Sequence, residues 1–88
     1  MSIEAENKLE QALARLQQER DELRVRAHLL KAEVKEEWDE VERKWEQIEL
    51  RLERLRAGAS ESASEIGAAL SQLGEEIANA YRRIRKAL

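Results

Sequence analysis

Through the middle of the chain, apolar residues fall at Val34, Trp38, Val41, Trp45, Ile48, Leu52 and Leu55. The steps alternate between four and three, a mean of 3.5. That spacing puts them on one narrow stripe of a helix that packs lengthwise against another. The stripe resumes as Ala63, Ile66, Leu70, Leu73, Ile77, Ala80 and Ile84, after a stretch of small residues. Upstream it begins as Leu9, Leu13, Leu16, Arg20, Leu23, Ala27 and Leu30. The pattern predicts an all-α, coiled-coil architecture.

The first helix is expected over about 3–57, with Ser2 as N-cap and Glu4 and Glu6 at the positive end of the helix dipole. At roughly 1.5 Å per residue it would be about 80 Å long. Its last turn carries Arg51, Arg54 and Arg56, cations suited to a helix C-terminus. Gly58 can then take the left-handed conformation that ends a helix, which makes about 58–61 the turn. Ser62-Ala63-Ser64-Glu65 reads as a capping box opening a second helix over about 62–88. A stop followed at once by a start signals an αα-hairpin, here within a single domain spanning 1–88. An unbroken single helix is the alternative.

Folding the second segment back on the first pairs Leu52 with Ile66, Ile48 with Leu70, Trp45 with Leu73 and Val41 with Ile77. Trp38 then faces Ala80, and Trp45 lies beside Gly74, large side chains against small. Such a hairpin leaves residues 3–29 overhanging. The step from Leu30 to Val34 to Trp38 is four and four, a stutter in the heptad at the start of the overhang. An exposed leucine seam is costly in water, so Leu9, Leu13, Leu16, Leu23 and Leu30 are expected to be buried by another chain. A homodimer is the simplest arrangement and a tetrameric bundle the next. Arg20, inside the seam, would penalise some registers and specify one. Trp38, Val41, Trp45, Ile48, Leu70, Leu73 and Ile77 form the expected hairpin core.

Charged residues make up 40% of the 88 residues, a level compatible with disorder, but the heptad order of the apolar positions argues for helices. A core from so short a chain is marginal, and without Cys it has no disulfide to supplement it; self-association is the expected supplement. The net charge of −3 is unevenly placed. Glu33, Glu36, Glu37, Asp39, Glu40 and Glu42 crowd one stretch; Arg82, Arg83, Arg85 and Lys86 crowd the end. An acidic body with a basic tip lacks the broad basic face of a nucleic-acid binder, so no nucleic-acid partner is expected. The polar N-terminal residues carry no apolar leader segment, and no stretch is long and apolar enough to span a bilayer; the cytoplasm is the expected location.

Candidate chemistry is sparse. Glu36, Glu37 and Glu40 lack the Glu-x-x-His step of a helical di-metal site, because the sole histidine, His28, is preceded at that spacing by Val25. They read as a solvated acidic face, and His28 as a seam-flanking side chain. Ser60, Ser62 and Ser64 have no base beside them and suit a turn. No catalytic residue, metal site or cofactor is expected. The second segment joins an apolar face to Arg82, Arg83, Arg85 and Lys86, the pattern of a helix that lies on an anionic membrane surface. The reading from the residues is therefore a non-catalytic structural or adaptor module that oligomerises. The alternative is lipid-surface binding through the basic-ended C-terminal helix. A third reading is a helix-donating subunit whose first segment pairs with an unidentified protein partner.

The stretch Trp38-Asp39-Glu40-Val41-Glu42-Arg43-Lys44-Trp45, continuing to Leu52-Glu53-Arg54-Leu55, resembles a group of small uncharacterised bacterial coiled-coil proteins. In that group a long charged helix with this Trp spacing precedes a shorter Ala-rich amphipathic one. The resemblance covers about residues 30–88 and implies a helical hairpin. It carries over no active residues.

Overall fold

The computed structural model describes residues 3–58 and 63–88. Helix α1 runs Ile3–Arg24, α2 runs Ala32–Ala57 and α3 runs Ala63–Ala87. A short 3-10 turn, Ala27–Leu29, lies between α1 and α2. The described residues are all-α, three helices packed as a bundle of 41 × 22 × 17 Å.

The α2–α3 pair is antiparallel, as the stripe arithmetic requires. Lys44 meets Glu76, and Glu37 meets Arg83. The residue numbers of both pairs add to 120, within two of the register expected from the sequence. Trp38, Val41, Trp45, Ile48, Leu70 and Ile77 are buried, as are Ile66 and Ile84; Leu73 is only partly buried. Gly58 ends α2 at φ 68° and ψ 42° and donates its N–H to the carbonyls of Arg54 and Leu55. Glycine adopts that left-handed geometry without a Cβ penalty. The capping box proposed on Ser62 and the cap on Ser2 lie outside the described residues.

The long first helix is not continuous. It stops at Arg24, turns over residues 25–31 and restarts at Ala32. The N-terminal segment therefore does not overhang. It folds back as α1, and its leucines reach the core of the same chain: Leu13, Leu16 and Leu23 are buried, Leu9 and Leu30 partly so. The seam that was expected to need another chain is covered mainly by α3. Contacts fix the direction of α1 as parallel to α3, since Leu16 lies against Gly74 while Glu19 and Glu22 reach Arg85 further along.

Magnitudes show why the fold-back wins. Burying a leucine side chain contributes about 1.5–3 kcal/mol, so three of them outweigh the few backbone bonds lost at the bend. Each of those is worth only about 0.5–1.5 kcal/mol net, because water replaces it. The bend is made with 3-10-type bonds alone, Arg26 N–H to Leu23, Leu29 N–H to Arg26 and Leu30 N–H to Ala27. Lys31, the residue preceding α2, caps it with no side-chain hydrogen bond. Val25 and Leu29 are left 72% and 63% exposed.

One expected contact is replaced. Trp45 does not fill the space over Gly74. Among the described residues, the only atom within 4 Å of a Cβ built at Gly74 is Leu16 Cδ1, at 3.7 Å. The small residue serves α1, a helix absent from the hairpin picture. A Cβ there would make ordinary van der Waals contact, and alanine is the better helix former by about 1 kcal/mol. Gly74→Ala is therefore expected to stabilise the fold by about 0.5–1 kcal/mol and raise the Tm by several degrees in a thermal melt. A lowered Tm would mean that α1 packs closer than the structure shows.

Candidate functional site

The three helices meet at a polar and aromatic junction. Arg20 of α1 lies partly buried and grips Glu42 of α2 with two bonds, Nε to Oε1 at 2.9 Å and a terminal guanidinium nitrogen to Oε2 at 2.5 Å. The same guanidinium lies 5.7 Å from the Trp45 ring centroid, within cation–π range. Trp45 Nε1–H donates to the Tyr81 hydroxyl of α3 at 2.8 Å. Trp38 completes the cluster, its ring centroid 6.1 Å from that of Tyr81 and tilted by 32°.

Each part follows from its place on a helix. Trp38 and Trp45 are one heptad apart, so both face inward from α2. Glu42 sits at the margin of that face, within reach of α1. Arg20 occupies a seam position, where its stem packs among apolar neighbours and its head escapes to Glu42. Tyr81 is fully buried, and its hydroxyl is satisfied by Trp45. No buried side-chain polar atom among the described residues lacks a partner. Sequence reasoning singled out Arg20 as a register-setting residue without its partner. It missed Glu42 as that partner and Tyr81 as the hub. The signal was present in Tyr81, the only tyrosine, sitting in the middle of an otherwise aliphatic stripe.

A second ring of ion pairs surrounds the junction. Arg83 bonds Glu37 of α2, and Arg85 reaches Glu19 and Glu22 of α1 at 3.3 and 3.4 Å. Arg82 donates to Asn79 on its own helix at 2.5 Å. Of the four basic residues proposed to face an anionic surface, two are thus engaged with neighbouring helices, while Lys86 lies exposed. The apolar face of α3 that such a surface would need is turned inward.

An apolar groove of about 780 Å³ lies along the α1–α3 joint. Leu9, Leu13, Leu16, Leu70, Gly74 and Ala78 form its floor, and Lys8, Arg15, Glu75 and Arg85 stand among its rim. Among the described residues no group of three or more His, Asp or Glu could hold a metal ion. No described helix is long and apolar enough to cross a membrane. No protein family, curated protein or solved structure matches the chain.

Burial raises the Tyr81 phenol to about 12 from its ordinary 10, against the opposing pull of the Trp45 hydrogen bond; Glu42 and Glu19 raise it further and Arg20 lowers it. Arg20 is itself raised above its ordinary value, chiefly by its hydrogen bond to Glu42. The neutral phenol is the form the fold favours. Its contribution is complete below pH 10 and is lost as pH rises through 12. Two units correspond to about 2–3 kcal/mol. Spectrophotometric titration should show a single phenolate transition near pH 12, with stability to denaturant falling between pH 10 and 12. A transition at the free-tyrosine value in folded protein would contradict the burial of Tyr81.

Proposed function

We propose that the protein is a non-catalytic structural or adaptor module that acts by helix packing and self-associates. The observation that carries this reading is the apolar groove along the α1–α3 joint. Its floor is leucine and small residues, and charged side chains such as Lys8, Arg15, Glu75 and Arg85 stand at its rim. Surfaces of that kind suit apolar helix faces. Of the charged groups that line it, Arg85 of α3 is paired with Glu19 and Glu22 of α1, an architectural use of them.

Self-association is expected to appear as a mass above 10.2 kDa that rises with concentration in light scattering. A mass that stays at the monomer value into the high micromolar range would overturn it.

A second reading has its own observation. The hinge end of the bundle exposes Val25, Leu29 and Leu88 and carries Arg26, Lys31, Arg82 and Lys86. Apolar tips ringed by cations attach to anionic bilayers. Flotation with anionic vesicles at low salt, falling as salt rises and absent with neutral vesicles, is the outcome expected of this reading. Equal recovery with both vesicle types, or with neither, would dismiss it.

A further inference from the structure

We infer that two copies of the chain associate by exchanging α1, with residues 25–31 straightening so that α1 and α2 become one helix. This rests on the self-association proposed above and names its geometry.

The connection between α1 and α2 is built from the wrong residues for a turn. Between Arg24 and Glu33 there is no Gly, Pro, Asn, Asp or Ser, the residues that ordinarily stop and restart helices. Lys31 provides no cap, and the bend leaves Val25 and Leu29 largely in solvent. The segment bends only because bending brings the α1 leucines onto α3. An α1 supplied by a second copy satisfies α3 equally well and removes the need to bend.

The apolar stripe supports the straight form. In a continuous helix Leu23, Ala27, Leu30 and Val34 follow one another at steps of four, three and four. The next step, to Trp38, is again four, a stutter that a long packed helix absorbs by a local change of supercoil, so the leucines of α1 and the tryptophans of α2 still lie on one seam. The contacts that fix α1 on α2 and α3 are made by its side chains and survive exchange. Arg20 of one copy would grip Glu42 and cover Trp45 of the other, and Arg85 would meet Glu19 and Glu22 across copies. The groove along the α1–α3 joint marks α1 as a helix with one flank uncovered, and so as an arm that can leave.

Lengths agree as well. A straight helix over residues 3–57 is about 80 Å long, twice the 41 Å of the bundle. Two such helices crossing at their hinges would carry one three-helix bundle at each end, with Ala27 and Leu30 of the two copies meeting at the centre. The exchange trades a bimolecular cost for the repair of two bends, so closed monomer and exchanged dimer should interconvert with concentration.

The test uses the full chain, which has no cysteine of its own. Glu19→Cys protein is mixed with Arg85→Cys protein, refolded at high concentration and treated with a short bis-maleimide. Exchange predicts efficient cross-links between the two different chains and a scattering envelope about twice the monomer length. The hinge supplies an independent arm. Val25→Ala with His28→Ala favours the straight helix and should raise the dimerisation constant about tenfold or more; Leu29→Gly should lower it by a similar factor. Dimers of unchanged bundle length, without inter-chain cross-links and indifferent to the hinge variants, would overturn arm exchange while leaving self-association standing. A monomer at every concentration would overturn both.

Discussion

The constraint on which the rest of the structure depends is the breadth of the apolar face of α3. Ile66, Leu70, Ile77 and Ile84 run down its centre, with Ala80 to one side and Gly74, Ala78 and Tyr81 to the other. A face that wide cannot be covered by a single neighbour. α2 covers one flank, and the remainder would lie in water unless a second helix came to it. The bend at residues 25–31 is the consequence. It is local structure made to serve a distant surface.

If apolar burial sets how many helices there are, the Arg20 junction sets where they sit. Leucine seams tolerate sliding by a turn, because one leucine replaces another at little cost. A two-bond Arg–Glu grip does not slide, and neither does an indole N–H aimed at one hydroxyl. Arg20, Glu42, Trp45 and Tyr81 come one each from α1 and α3 and two from α2, so a shift of any helix breaks at least one link. The pairing of Arg85 with Glu19 and Glu22 repeats that function nearer the end of the bundle, at lower value because it is more exposed.

Much of this was legible in the chain and some was not, for definite reasons. The α2–α3 register could be read because two stripes of matching period face each other across a turn marked by Gly58. The bend between α1 and α2 could not, because none of its residues favours a turn; it is imposed by packing. The leucine seam of α1 was visible, but its destination was not, since periodicity says that a face is buried without saying by what. Gly74 drew attention as a small residue opposite something large, and the large residue proved to be on a helix that the hairpin did not contain. Arg20 stood out in the seam, whereas Glu42 was lost among six acids of one stretch. Arg83 and Arg85 looked like a free basic tip, and only the packing of three helices shows them paired.

The parallel course of α1 and α3 has a mechanical consequence. The first residues of α1 and the last of α3 lie at opposite poles of the bundle, because the two helices point the same way. Tension applied between those poles would drag α1 and α3 past each other along their common length. All the leucines of the α1 seam would then bear load together, and none could be peeled away before the next. Helices pulled from the same pole separate one contact at a time; these would resist as a lap joint does, until the whole seam lets go at once.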